Sequence, residues 1–255
     1  VRCLRMSDKQ LSPIEGARIL TSFCGQVRKG DRVLIVTDET TREVGVWLHS
    51  AAKELTENVN WLKTNVAAMH GSEPIDEVAE AMLESDVIFG ATQSSMAHTQ
   101  ARLNASNKGA RYLSLPDYSI EQLTSPALSV DFIEWAKTAK KLKDILDSAK
   151  SISITSKSGT NLSLECEGRS ANFCPGFCAK AGSLGSPPDI ETNVPPLEDK
   201  SNGILIVDGS IPCKEIGVVK EPIAVKIKDG MITEIDENTQ QGRVLKNLFD
   251  SRSND

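Results

Sequence analysis

The sequence predicts an α/β fold: a doubly wound, mainly parallel sheet domain over residues 1–150, followed by a β-rich (α+β) domain over residues 151–255. Three observations carry this. Helix and strand patterns alternate through the first part, which is the grammar of a parallel sheet with crossover helices. After Lys150 the apolar period shortens from that of a helix to that of a strand. Asp229-Gly230, between two alternating runs, marks a tight hairpin in the second part.

The elements follow in order. "LSPIEGARILTSFCGQVRKGD" opens a helix with Ser12 as N-cap, Pro13 in the first turn and Glu15 completing a capping box, and closes at Arg28, Lys29 and Gly30. Val33-Leu34-Ile35-Val36 is a short apolar run of strand length, as a buried parallel strand requires. Beyond it the pattern predicts a helix from Val44 to Leu55, a strand in "VNWLKTNVAA", a helix from Ile75 to Leu83 and a strand from Asp86 to Gly90. A helix through Met96 to Leu103 and a strand in "RYLSL" repeat the unit once more. The last element of this part is long: in "SVDFIEWAKTAKKLKDILDSAK", Ile133, Ala136, Leu142, Leu146 and Ala149 fall on one predicted apolar face, with Asp131 and Glu134 at its start. "SISITSKSGTNLSLECEG" and "PIAVKIKDGMITEID" then read as two pairs of alternating strands, and "GRVLKNLFD" as a closing helix.

Composition excludes several function classes. The net charge is −6, and no basic face for nucleic acid stands out. The apolar runs, such as Val33 to Val36, are far shorter than a membrane helix needs. Val1 to Gln10 has no apolar stretch of the kind a secretory signal requires. The expectation is a cytoplasmic protein that meets neither membrane nor nucleic acid. Six cysteines, at positions 3, 24, 166, 174, 178 and 213, are too sparse for a disulfide scaffold. Cys166, Cys174, Cys178 and Cys213 can be drawn as a zinc site, but their spacing lacks the paired short knuckles of such sites, and free thiols are the plainer reading.

No phosphate-binding loop, dinucleotide fingerprint, nucleophile elbow or H-E-x-x-H helix is present. All three histidines, His49, His70 and His98, lie in the first part. Ligands of open α/β sheets gather beyond the carboxyl ends of strands, and two such ends are polar: Thr37 to Arg42, and Gly90 to His98. Their Thr, Asp and Ser residues serve equally as helix caps, with Ser94 or Ser95 placed to cap the next helix, and the sequence favours that use. A second candidate is the stretch "SPPDIETNVPPLEDKSNGILIVDGS". Pro187, Pro188, Pro195 and Pro196 restrict its backbone around Glu191, and a carboxylate so held suits a hard-cation ligand or a general base. Asp189, Glu198 and Asp199 offer further oxygens, and a solvated acidic loop is the competing reading.

The run "PPDIETNVPPLEDKSNGILIVDGS", with "SGTNLSLECEGR" before it and "PIAVKIKDGMITEID" after it, resembles the thermophilic metalloaminopeptidases typified by aminopeptidase T. "VRKGDRVLIVTDE" and "AMLESDVIFGAT" extend the resemblance to the first part. It implies a homodimeric hydrolase that uses divalent metal ions, zinc, cobalt or similar, to release N-terminal amino acids from peptides, with Glu191 as a metal ligand. Ile190 and Thr192-Asn193 depart from the family motif beside that glutamate. The resemblance also implies a C-terminal third carrying the remaining metal ligands, which these residues lack. More distantly the chain is similar to the 2,5-dihydroxypyridine dioxygenases, which imply iron and a small-molecule substrate; the acid at position 191 tips the expectation to the hydrolase. A non-catalytic scaffold is the third alternative.

Overall fold

The structure, a computed structural model, describes residues 10–213 and 215–252; Cys3 lies outside them. It divides into two units, one of residues 1–141 and 173–192, the other of residues 142–172 and 193–255.

The first unit is a five-stranded parallel sheet with helices on both faces, as its sequence pattern requires. In chain order it contains α1 (Pro13–Arg18), β1 (Val33–Thr37), α2 (Arg42–Lys53), β2 (Val59–Lys63), α3 (Asp76–Leu83), β3 (Val87–Ala91), α4 (Gln100–Asn107), β4 (Arg111–Ser114) and α5 (Ile120–Leu123). The helix α6 (Phe132–Ser148) leads into β5 (Ser151–Thr155), β6 (Asn161–Glu165) and β7 (Asn172–Cys174). Then comes β8 (Leu184–Gly185), which returns to the first sheet and completes the order β2-β1-β3-β4-β8. This edge strand comes from residues 151–255, the part of the chain expected to form the β-rich domain. It consists only of Leu184 and Gly185, paired to Tyr112 and Leu113, and so has no periodicity to read.

β1 and β3 are buried along their whole length, as a central parallel strand covered on both faces must be. One face carries Leu20, Leu48, Phe89, Leu113 and Leu123, and the other Leu34, Ile88, Met82, Met96 and Tyr112. At the amino end of the sheet, the Arg111 guanidinium donates to Asp31 Oδ2 at 2.6 Å and to the Gln26 carbonyl, tying β4 to the turn before β1.

The capping box is present: the Glu15 carboxylate accepts from both Ser12 N–H and Ser12 Oγ, each at 2.7 Å. The helix ends sooner than predicted, passing into a π-helical turn over Ile19–Cys24. In α6 the predicted apolar face is buried only in part. Phe132 and Ala136 are buried, with Phe132 against Phe23 at 5.7 Å, while Ile133 and Leu142 of the predicted face are about half exposed (51% and 49%). Leu146 and Ala149 are half-buried. Spacing alone does not say which of two neighbouring stripes meets an aromatic pocket.

The second unit is an antiparallel sheet in the order β14-β13-β10-β6-β5, where β9 is Glu191–Asn193, β10 is Ser201–Val207, β11 is Ser210–Ile211, β12 is Gly217–Val218, β13 is Ile223–Lys228 and β14 is Met231–Ile235. Its core joins Val225, Ile223 and Ile235 to Leu245 of α7 (Gln240–Arg252). The β13–β14 turn is the predicted hairpin, with Asp229 at a φ of 48° and Gly230 at a φ of 77°. Such a turn requires positive φ at both central residues. A Cβ at position 230 would lie 1.6 Å from the Glu198 carbonyl oxygen. Only glycine therefore fits there.

A second close approach lies inside the parallel sheet. A Cβ on Gly90 would fall 2.0 Å from the Tyr112 hydroxyl, which is buried without a hydrogen-bond partner. Gly90→Ala is therefore expected to cost about 2 kcal/mol by overpacking, read as a lower urea midpoint. Tyr112→Phe alone should be neutral or stabilising, since it deletes an unsatisfied hydroxyl, and in the Gly90→Ala background it should recover part of the loss. An unchanged midpoint for Gly90→Ala would refute this packing.

Candidate functional site at the carboxyl edge of the parallel sheet

The strand order places the topological switch point between β1 and β3, where consecutive connections leave in opposite directions and ligands of such folds commonly bind. Here the crevice is filled by the protein itself. Asp38, fully buried at the end of β1, sets Oδ1 against Thr40 N–H at 2.9 Å and Thr40 Oγ1 at 2.6 Å, and Oδ2 against Gln93 N–H at 2.6 Å in the loop after β3. Thr41 Oγ1 donates to the Ala91 carbonyl at 2.6 Å, a second tie between the same two loops. Burial works against the Asp38 charge, but the donors from Thr40, Gln93 and Thr41 outweigh it and hold the carboxyl below the usual carboxylate range.

Outside this closed centre the edge is a belt of hydroxyls. Ser95 Oγ lies 3.3 Å from Ser114 Oγ, and Ser186 Oγ, next to β8, reaches the Ser114 carbonyl at 3.3 Å. Ser94 and Ser95 do not cap α4 as expected. That helix starts later, at Gln100, and its cap is Thr99, whose Oγ1 accepts from Arg102 N–H at 3.2 Å. The two serines hold the connection between β2 and α3 instead: Ser94 Oγ donates to the Ala67 carbonyl at 3.1 Å, and Ser95 N–H donates to His70 Nδ1 at 2.9 Å. The other histidines are apart from it, His49 packed on the Trp61 ring at 5.8 Å and His98 exposed in the loop before α4.

Glu191 stands at the start of β9, exposed, in a short strand that pairs with β7 rather than in an irregular loop. Its charge, with that of Asp189, acts on the neighbouring Cys174, whose thiol is pushed up by burial in the first place. Asp189 Oδ2 accepts from Ser186 Oγ at 3.4 Å. Glu198 belongs to the other unit and is engaged by Arg169 at 2.6 Å, while Asp199 lies 3.8 Å from Lys200. Glu191 and Asp189 thus share the surroundings of Cys174, while Glu198 and Asp199 have basic partners in the other unit. Among the described residues no three His, Cys, Asp or Glu side chains come together as a metal site. The cysteines at 24, 166, 174, 178 and 213 are free thiols. Burial pushes Cys178 up to about 12 and raises Cys24 further. Neither supplies a thiolate near neutral pH.

What the fold and this edge define is an α/β protein of two units whose first sheet gathers polar loops at its carboxyl end. Its family is shown by comparison: a model for 2,5-dihydroxypyridine 5,6-dioxygenase, NicX, matches residues 20–255, and the chain belongs to that family. In fold it is similar to the 2,5-dihydroxypyridine dioxygenase of Pseudomonas putida KT2440, with a TM-score of 0.76 and 15% identity over 92% of this chain and 70% of that one. It is less similar to wild-type AmpT of Thermus thermophilus, with a TM-score of 0.57 and 13% identity over 94% of this chain and 74% of that one. A search of curated proteins finds no match. The expectation of an aminopeptidase, a metallopeptidase and hydrolase, is thereby overturned: the family match is to an oxidoreductase, and the peptidase likeness is one of scaffold.

Among the described residues no helix is long and apolar enough to cross a membrane.

The Asp38 clamp makes a pH prediction. A carboxyl whose folded pKa is lowered adds stability that is complete above the unfolded value, about 3.9, and is lost as pH falls through the folded value. Asp38→Asn is expected to lower stability at neutral pH by about 1–3 kcal/mol, and the gap between variant and parent should narrow under acid. A gap that stayed constant in urea titrations from neutral pH down to about pH 3 would show that the ionised carboxylate is not what holds the loops.

Proposed function

We propose that the chain acts on a dihydroxypyridine-class ring, opening it with molecular oxygen so that both oxygen atoms enter the product. The observation that carries this reading is the family match over residues 20–255. The dioxygenase fold likeness at a TM-score of 0.76 supports the scaffold. The hydroxyl belt suits the substrate class, because serine and threonine can each donate and accept at a neutral polar ring.

Such a reaction implies a metal cofactor, iron in this reading. The described residues do not fit a complete iron site, since Glu191 has no two further ligands grouped with it. The roles assigned to this chain are therefore to bind and orient the ring. That same observation favours a second reading, a non-catalytic scaffold that keeps the ring-binding surface. A homodimer is a further proposal, and a second copy is one source of additional ligands.

Oxygen uptake separates the two readings. With ferrous iron and 2,5-dihydroxypyridine supplied to the purified chain, the catalytic reading expects oxygen and substrate to disappear in equal amounts. No uptake under iron-replete conditions would leave the scaffold reading.

A further inference from the structure

The connection between β2 and α3, residues 64–75, is long for an α/β unit, where about 2–6 residues are usual. It buries little of its apolar surface, with Val66 46% exposed, Met69 68% and Ile75 41%. Hydrogen bonds hold it instead. Ser94 Oγ donates to the Ala67 carbonyl at 3.1 Å, and Gly71 N–H donates to the Ser95 carbonyl at 2.8 Å. The Glu73 carboxylate accepts from Gln100 N–H at 2.5 Å and Ala101 N–H at 3.1 Å, at the start of α4. A further tie is of another kind: Ser95 N–H donates to His70 Nδ1 at 2.9 Å.

That bond specifies the form of the ring. A nitrogen that accepts an N–H carries no hydrogen of its own, so the imidazole is neutral with its proton on Nε2; once charged, both ring nitrogens are donors. Protonation therefore sets one N–H against another and takes the acceptor from Ser95. Carbonyl acceptors do not titrate and ordinary carboxylates do so near pH 4, whereas histidine is the side chain that changes charge between about pH 5 and 8. The ring is exposed, so a proton reaches it from solvent without rearrangement. The charged groups of the segment and of the elements around it have other engagements. Lys63 of β2 meets Glu39, Glu73 meets the α4 amides, and Arg102 of α4 donates to the Ala97 carbonyl. Asp38 holds Gln93 N–H, Asp76 and Glu77 lie in the first turn of α3, and His98 is exposed in the loop before α4.

We propose that His70 is a pH-sensitive latch: its neutral ring holds residues 64–75 on the loop after β3, and protonation at Nδ1 releases that hold. The tie is whole above the histidine range and is lost as pH falls through it. Ser95 is the node through which release spreads. Besides its backbone ties, its Oγ accepts from Ala97 N–H at 3.2 Å and lies 3.3 Å from Ser114 Oγ in the hydroxyl belt. Acid thus loosens the belt along with the segment. The latch stands apart from the dioxygenase reading and does not require it.

The test titrates the full chain, ¹⁵N-labelled, from about pH 8 down to about pH 5 by NMR. The Ser95 amide proton is expected to shift with the same midpoint as the His70 ring. Solvent exchange of that amide, taken relative to its unstructured rate at each pH, should rise about fivefold across the titration, the size of one lost hydrogen bond. In His70→Asn the side-chain Oδ1 stands where Nδ1 was and accepts without titrating, so exchange should stay at the parent's alkaline level throughout. His70→Leu should show the released level throughout, and His98→Asn the parent's response. Slow exchange across Val33 to Thr37 of β1 in each variant shows that the fold is kept. A Ser95 amide that stayed still while the His70 ring titrated would overturn the latch. So would a pH response that survived in His70→Asn, because the titrating group would then lie elsewhere.

Discussion

The buried Asp38 carboxylate is the constraint on which the first unit's functional edge depends. A charge at zero exposure is costly unless donors surround it, and here they come from its own loop and from Gln93 across the switch point. The loops after β1 and β3 are consequently locked as a pair, with Thr41 adding a bond to the Ala91 carbonyl. β1 and β3, from which the two loops leave, are themselves buried end to end. Whatever this edge binds must meet it on either side of that lock.

Much of the fold was legible because it is written in local chemistry. The capping box at Ser12 and Glu15, the apolar run at Val33 to Val36 and the Asp229-Gly230 turn each specify their element within a few residues. What was not legible is set by partners distant in sequence. β8 is strand only because β4 offers it an edge. The buried face of α6 is fixed by Phe23, far upstream, rather than by its own period. The start of α4 moved because Thr99 and Glu73 satisfy its first amides, releasing Ser94 and Ser95 to bind another loop.

The candidate site was legible in part. Polar strand ends are visible in the sequence as Thr37 to Arg42 and Gly90 to His98, and both do lie at the carboxyl edge. Their caps and ties could not be separated in advance, because serine and threonine serve either use with the same atoms. Glu191 drew the expectation toward a hydrolase because the stretch around it resembles the metalloaminopeptidases, which place a metal-binding glutamate there. Chemistry at one residue is weak evidence when two families share a scaffold, since a fold hosts different reactions through different sites. The family match draws on nearly the whole chain and outweighs it.

The β2–α3 connection carries the remaining step. Its sequence, with Val66, Met69 and Ile75 among polar residues, reads as the ordinary tail of a strand, and only the ties to Ser94, Ser95 and α4 reveal that it is held in place. Val66, Met69 and Ile75 stay largely in water, so hydrogen bonds from Ser94, Ser95 and the α4 amides, rather than apolar burial, hold the segment. Asp38 and the serines act in series: the carboxylate fixes the loop after β3, and that loop in turn fixes residues 64–75.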